Sequence, residues 1–201
     1  MKSTNLIYGV GYNSRVFPTK KGTTQLKEYT LWLQMLRRCY GNTEMLSYKG
    51  CTVSDNFKNY EYFYLWCQEQ VGFKVIGFAL DKDLLCVSGK KLYSENTCVF
   101  IPKELNNFLA LRDADRGLYK LGVSFCNREY KFVSYCNNNT GTTKFLGYFD
   151  TEIEAHNAYC IFKDSMAKIL AEKHKEVISD KAYNALSNFS IRKYLGDTIY
   201  D

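Results

Sequence analysis

The sequence predicts an α+β protein in two parts, and three observations lead to this fold class. Apolar residues recur at helical spacing along residues 27–40 and again along residues 151–170. Two apolar runs around residues 78–102 flank a Gly-containing turn, which is typical of paired strands. Residues 119–149 contain three further strand-like segments separated by turns. Helices and antiparallel strands are therefore expected in both halves of the chain.

In the first half, a polar segment with turns precedes the long helix. The expected elements are turns at 9–13 and 19–24, a helix at 27–40, a short strand within 45–53, a second helix from the caps Ser54 and Asp55 to about residue 69, a hairpin with its turn at 88–91, and a short helix at 103–112. The core face of the second helix is expected to hold Phe57, Tyr60, Phe63, Tyr64 and Cys67.

The second half reads as three antiparallel strands with one helix laid across them. Strands are expected at 119–125, 130–136 and 142–149, followed by a helix with capping-box spacing at Thr151 and Glu154 and by a small helix at about 180–189. The buried face of the long helix is expected to hold Ala155, Ala158, Tyr159, Phe162, Met166 and Ile169. A change in composition near residues 113–116 predicts two domains, residues 1–112 and 113–201.

The charge of the chain lies in its first half. The net charge is +6, and residues 1–112 hold 15 Lys and Arg against 9 Asp and Glu, whereas residues 113–201 hold 12 of each. A basic half beside a neutral half favours a polyanionic partner. Arg37 and Arg38 end the first helix, where they either complement the helix dipole or contact phosphate.

The cysteine pattern and the start of the chain indicate a reducing compartment. All eight cysteines stand singly, without a C-x-x-C pair, so free thiols are expected in place of a zinc site or disulfides. No apolar run approaches the roughly 18 residues of a membrane span, and no signal region is evident, which predicts a cytoplasmic protein.

Residues 116–171 resemble the AP2/ERF family of DNA-binding domains. The resemblance rests on RG at 116–117, GVS at 122–124, KFVS at 131–134 and FLGYFDTEIEAHNAY at 145–159. It implies that a three-stranded sheet packed on a long helix lies in the major groove of double-stranded DNA. The side chains that it turns toward DNA are Ser124, Cys126, Arg128, Lys131, Tyr135, Thr143 and Phe145. Few of these are arginines, so phosphate contacts are expected to outweigh base readout.

The first half resembles phage proteins that join such a domain to an HNH (ββα-metal) unit. The resembling segments are YTLWLQMLRRCY at 29–40, YKGCTVSDNF at 48–57, LDKDLL at 80–85 and YSENTCVFIPKELN at 93–106. The resemblance implies an HNH-like ββα unit with flanking helices, a homing-type endonuclease in the cytoplasm of a bacterial host, and a divalent metal, Mg²⁺ or Mn²⁺. By position Asp81 and Asn96 are the metal ligands, with Asn106 or Asn107 nearby, and Lys82 replaces the catalytic histidine.

The lysine at position 82 leaves two interpretations open. A lysine pKa near 10.4 is held up further by neighbouring aspartates, so Lys82 is not expected to accept a proton from water. Asp81, Lys82 and Asp83 are then either a salt-bridge cluster at the hairpin end or a weakly working metal site. His156 and His174 are expected at ordinary positions on a solvated helix. The alternatives to a nuclease are a non-catalytic regulator or an anti-host-defence factor, which acts by binding DNA or a host protein.

Overall fold

A computed structural model describes residues 6–41, 48–86, 91–110, 118–139 and 141–195. Within these residues the chain is mixed α+β, as the sequence predicts. The helices are α1 (Lys27–Tyr40), α2 (Asp55–Lys58), α3 (Tyr60–Glu69), α4 (Lys103–Leu109), α5 (Glu152–His174), α6 (Asp180–Ser187) and α7 (Ile191–Leu195). The strands are β1 (Lys20–Lys21), β2 (Thr24–Gln25), β3 (Thr52–Val53), β4 (Phe78–Asp81), β5 (Leu92–Tyr93), β6 (Val99–Pro102), β7 (Val123–Cys126), β8 (Lys131–Asn137) and β9 (Thr143–Phe149). In these segments no helix combines the length and the apolar character needed to cross a membrane.

The chain divides into two compact units. The first unit contains residues 1–102 and 177–182, and the second contains residues 103–176 and 183–201. The main division lies between Pro102 and Lys103, so that α4 belongs to the second unit. The boundary that the sequence predicts at 112/113 lies outside the described residues and stays a prediction.

An aromatic core between α1 and α3 forms the centre of the first unit. Trp32 of α1 is fully buried, and its indole N–H donates to the carbonyl oxygen of Phe57 at 2.8 Å. The rings of Phe57 and Phe63 meet edge to face, with centroids 5.1 Å apart. Buried aromatic rings in such contacts contribute both area and geometry to a core. The aromatic stripe of the second predicted helix is therefore core, although Tyr64 is only partly buried.

The helix predicted from Ser54 to about residue 69 is broken at Asn59. Ser54 caps α2 as expected, but the backbone of Asn59 is extended and its side chain accepts from the N–H of Glu61, which makes Asn59 the cap of α3. Tyr12, which is distant in the sequence, bonds to the backbone at this break. Its N–H donates to the carbonyl oxygen of Lys58 and its carbonyl oxygen accepts the N–H of Tyr60, both at 2.9 Å. The sequence pattern around Asn59 does not indicate this contact with Tyr12.

The expected hairpin pairs differently from the prediction. Strand β4 pairs in antiparallel fashion with β6, with Asp81 opposite Val99, while β5 pairs in parallel with β3. Strand β5 thus lies between β4 and β6 in the chain but pairs with β3. The predicted turn at 88–91 falls largely on residues outside the described part of the chain.

The second unit is built on a three-stranded antiparallel sheet of order β7-β8-β9, against which α5 packs. The first strand begins at Val123 and not at residue 119, because Gly122 turns the chain at a φ of +80°. A Cβ at Gly122 would stand 2.1 Å from the ring of Tyr159, so helix and sheet can approach only at a glycine. Between Phe145 and Gly147 the register shifts by one residue, which leaves Leu146 as the extra residue of a β-bulge.

The capping box of α5 is confirmed, but its buried face is rotated from the predicted one. Thr151 and Glu154 exchange side-chain and backbone hydrogen bonds at the start of the helix. Ile169, expected in the core, is 58% exposed, and Lys163 is buried instead. Ala155 and Tyr159 are buried as predicted, whereas Ala158, Phe162 and Met166 are only partly buried.

The prediction that both histidines of α5 lie at ordinary positions on a solvated helix is wrong. His156 is buried, and its Nδ1 lies 2.9 Å from the carbonyl oxygen of Leu121 while its Nε2 lies 3.4 Å from the sulfur of Cys160. Since a carbonyl can only accept, Nδ1 carries the proton and the Cys160 thiol donates to Nε2. His174 Nε2 lies 2.9 Å from a carboxylate oxygen of Glu104 in α4. The two histidines tie α5 to its neighbours within the second unit.

Candidate functional site

Asp81 at the end of β4 holds its own turn together. One carboxylate oxygen, Oδ1, accepts the backbone N–H of Leu84 at 2.8 Å and that of Asp83 at 3.0 Å. The side chain is almost entirely buried. Burial raises the pKa of Asp81 to about 6, although the two backbone hydrogen bonds favour the charged form. The residue acts here as a turn cap, which is the usual role of an aspartate followed by exposed backbone donors.

Lys82 is a buried ammonium with fixed partners. Its Nζ is hydrogen-bonded to Asp83 and lies 5.6 Å from the ring centroids of both Tyr48 and Tyr93. Burial by itself would lower the pKa of Lys82, but the charge and hydrogen bond of Asp83 outweigh it and raise that pKa. A lysine with a raised pKa stays protonated at neutral pH and cannot serve as a general base.

Asn96, the second ligand expected from the HNH resemblance, lies in a different environment from Asp81. It is exposed, in a turn where its backbone N–H donates to the Ser94 hydroxyl at 3.3 Å. In the part of the chain that the structure describes, no group of three or more His, Cys, Asp or Glu side chains is arranged to hold a metal ion. Asp81 is thus buried with Oδ1 engaged by two amides, whereas Asn96 is exposed.

The two arginines at the end of α1 lie in different environments. Arg37 is exposed, whereas Arg38 is half-buried, with its guanidinium 5.3 Å from the Tyr48 ring centroid and 3.4 Å from the Tyr93 hydroxyl. Arg38 thus shares both tyrosines with Lys82. Of the two, only Arg37 is free enough of packing to contact a phosphate from solvent.

The cysteines are free thiols, as expected, and one pair interacts. The Cys39 thiol donates to the sulfur of Cys51, which lowers the pKa of Cys51, and the nearby Lys82 ammonium lowers it further against the effect of burial. This pair adds to the packing around the end of α1.

The register of the second unit's sheet brings the expected DNA-facing residues onto one side. Ser124 lies opposite Val133, Cys126 opposite Lys131, and Tyr135 opposite Phe145. Alternate residues share a face, and α5 packs on the other face, where Ser134 and Cys136 are buried. The side away from α5, called the open face below, carries Ser124, Cys126, Lys131, Val133, Tyr135, Asn137, Thr143, Phe145 and Tyr148. Arg128 lies in the turn between β7 and β8.

Aromatic rings dominate the open face. Tyr135, Phe145 and Tyr148, the aromatic cluster, are 41%, 45% and 45% exposed. The ring centroid of Phe145 lies 5.5 Å from that of Tyr135 and 5.2 Å from that of Tyr148. Tyr148 was missed by the sequence reasoning, because strict alternation from Phe145 turns it toward α5, and the bulge at Leu146 brings it outward.

The two cations expected at the DNA surface are both exposed and ion-paired. Arg128 Nε lies 2.9 Å from Glu129, and Lys131 Nζ lies 2.7 Å from Asp150. Exposed pairs of this kind contribute little, roughly 0–1 kcal/mol, so either cation can exchange its carboxylate for a phosphate. Arg128 and Lys131 are called the rim cations. Lys144 is also exposed, but it pairs with Cys136 and lies on the α5 side of the sheet.

A buried lysine that the sequence did not suggest lies beside a cavity of the second unit. Lys163 donates to the carbonyl oxygen of Phe108 at 2.6 Å, and its ammonium stands 3.7 Å from that ring centroid. Desolvation lowers the pKa of Lys163. The cavity of about 510 Å³ is lined by Asn107, Phe108, Ala110, Leu121, Cys136, Asn137, Asn139, Gly141, Tyr159 and Lys163.

Comparison of the chain with protein-family models, with curated proteins and with solved structures finds no match.

Proposed function

We propose that this protein binds double-stranded DNA through the open face and rim cations of its second unit, without cutting it. In this proposal it is a phage-type HNH/AP2 protein, related to homing endonucleases, whose HNH-like position no longer works. The observation that carries the proposal is the register of β7, β8 and β9. It gathers on one exposed side the positions that the AP2 resemblance turns toward DNA.

The element order supports the same relationship. Strands β4 and β6 pair in antiparallel fashion and α4 follows immediately, which is the strand-strand-helix order of an HNH unit. The three-stranded sheet with α5 packed behind it is the arrangement that the AP2 resemblance implies. The chain order of β4, β6 and α4 supports the proposed family, and the division between the two units falls between β6 and α4.

Loss of cleavage follows from the chemistry around β4. Asp81 uses Oδ1 to cap a turn, and Lys82 is paired with Asp83 and protonated. Asp81 is almost entirely buried with one carboxylate oxygen in a turn, and the residue in the place of the catalytic histidine is a protonated lysine. The protein is accordingly proposed to act by occupying DNA, as a regulator or as a factor against host defence.

A second candidate is a protein partner, and one observation favours it. Three isoleucines of α5, Ile153, Ile161 and Ile169, are 63%, 71% and 58% exposed. Large exposed apolar side chains on one helix are typical of interaction surfaces. In this alternative α5, and not the sheet, would carry the function.

A salt titration of DNA binding tests the main proposal. A fluorescein-labelled 24-base-pair duplex is titrated with protein in 50 and 200 mM NaCl, with EDTA or Mg²⁺, and anisotropy is recorded. With phosphate contacts from the two rim cations, affinity should fall about 12-fold over this fourfold change in salt. Binding should not depend on Mg²⁺. Absence of binding at 50 mM NaCl, or an affinity that ignores salt, would contradict the proposal and favour the protein partner.

A further inference from the structure

The aromatic cluster exposes ring faces at positions where a protein that recognises duplex DNA would need hydrogen-bond donors. Bases of a duplex present only their edges in the major groove, and the commonest specific contacts are forks from arginine or lysine to guanine. Tyr135, Phe145 and Tyr148 occupy the β8–β9 side of the open face instead, nearly half exposed each. Tyrosine and phenylalanine rings match the flat faces of bases, and those faces are hidden in a duplex.

The geometry of the cluster suits a short row of bases. Its neighbouring ring centroids are 5.5 and 5.2 Å apart, and the rings are inclined to each other by 55° and 64°. Each ring therefore presents its own surface and is not stacked on its neighbour. Val133 lies on the same face, opposite Tyr148, and is almost fully buried. A platform of this kind is preorganised, since its rings lose little freedom on binding.

Charge complementarity selects a nucleic acid as the occupant over a hydrophobic peptide. Lys131 begins β8 on the same face as Tyr135, and Arg128 lies in the turn before it. Their ion pairs with Glu129 and Asp150 are exposed and exchangeable. Aromatic rings flanked by a few exposed cations are the combination that binds single strands, with bases on the rings and phosphates on the cations.

We infer that the aromatic cluster is a stacking platform for unpaired bases, and that the protein prefers DNA with a single-stranded segment to fully paired duplex. This inference rests on the proposed function and narrows its substrate to opened or single-stranded DNA. The rim cations hold the backbone of either form. The rings contribute only when bases are unstacked.

The experiment compares two probes of equal length on the full chain. A fluorescein-labelled 12-nucleotide oligo-dT and a 12-base-pair duplex are titrated at the same salt concentration, and the single strand is expected to bind at least about fivefold more tightly. A second oligonucleotide carries 2-aminopurine, whose fluorescence should be quenched when the base stacks on a ring. Purely electrostatic binding does not produce that quenching.

Paired variants distinguish the contribution of the aromatic ring to binding from an effect on folding. Phe145→Leu and Tyr148→Leu keep apolar volume but lose the ring, and each should weaken single-strand binding about fivefold, which is a larger loss than the one expected for duplex binding. Tyr148→Phe keeps the ring and should retain wild-type affinity. Tyr62→Leu, at an exposed tyrosine of α3 in the first unit, is the matched control and should change neither affinity. Thermal unfolding of each variant verifies that the sheet is intact.

Each outcome decides a different claim. Equal affinity for the two probes, or leucine variants that bind oligo-dT as well as wild type, would overturn the stacking platform and leave duplex binding standing. If neither probe binds, the proposed DNA function fails together with the inference. In that case the cluster is explained by contact with a protein.

Discussion

Asp81 accepts the backbone N–H of Leu84 at 2.8 Å, so the first acid of the LDKD segment is bound to the chain that follows it. A second amide, from Asp83, shares the same oxygen at 3.0 Å. The charged residues after this apolar strand therefore have two structural roles: Asp81 caps a turn, and Lys82 forms an ion pair with Asp83.

Replacing Asp81 with asparagine should stabilise the protein at neutral pH. The folded-state pKa of about 6 lies above the unfolded value of 3.8, so the folded state holds the proton more tightly. The stabilisation that comes from this tighter proton binding is complete below pH 4 and is lost as pH rises through 6. Asparagine keeps the acceptor oxygen without the buried charge, and at pH 7.5 the gain in unfolding free energy should be on the order of 2 kcal/mol. Urea unfolding at pH 4.5 and 7.5 measures it.

The matched control is Asp55→Asn, because the Asp55 side chain is 97% exposed. This variant should lack the pH-dependent gain. An Asp81→Asn protein that is less stable than wild type at pH 7.5 would show that the charge itself is needed at this position.

Introducing histidine at position 82 should not restore cleavage. The Lys82→His variant supplies a side chain that can accept a proton at neutral pH. Asp81 nevertheless remains almost entirely buried, and its Oδ1 is still held by two amides of the turn. We expect supercoiled plasmid to stay intact with Mg²⁺ and with Mn²⁺. Nicking by Lys82→His that disappears when Asp81→Ala is added would instead reveal a recoverable metal site.

Charge changes at the sheet should alter the salt dependence of DNA binding in both directions. Arg128→Ala and Lys131→Ala should each lower the slope of log affinity against log salt by about 1, without unfolding the unit. Glu129→Ala and Asp150→Ala release the same cations from their carboxylates and should strengthen binding. Anisotropy at four salt concentrations measures the slopes. Slopes that stay constant in all four variants would mean that another surface contacts DNA.

Ser134→Ala should stabilise the second unit. Ser134 is fully buried on the side of β8 that faces α5, and its hydroxyl oxygen has no hydrogen-bond partner among the described residues. Removing an unsatisfied buried hydroxyl should raise the unfolding free energy by about 1 kcal/mol. Ser124→Ala, on the open face, should leave stability unchanged. A lower melting temperature for Ser134→Ala would point to a bound water that satisfies the hydroxyl.

The elements that sequence reasoning found are those that depend on neighbours along the chain. The bounds of α1 and the capping box of Thr151 and Glu154 follow from local spacing, and both are observed. The break at Asn59 depends on the distant Tyr12, and the burial of Lys163 depends on a carbonyl of α4. Neither partner is visible in a local pattern.

The same distinction applies to the candidate sites. The AP2 resemblance implies that Ser124, Lys131 and Tyr135 point to one side, and the register of the sheet has them on one face. The role of Asp81 was not predictable, because a carboxylate that caps a turn and one that binds a metal occupy the same place in the sequence. Only the hydrogen bonds of Oδ1 distinguish them.

The bulge in β9 marks a point where this strand tolerates a change in length. Residues on either side of Leu146 already pair with consecutive residues of β8, Phe145 with Tyr135 and Gly147 with Ser134. Deleting Leu146 would therefore join them into a regular ladder, with Phe145 and Tyr148 still outward and Phe149 still inward. An insertion or deletion elsewhere in the strand would exchange inside for outside. Natural variants of this protein are thus expected to lose or gain a residue here, while the rest of β9 keeps its length.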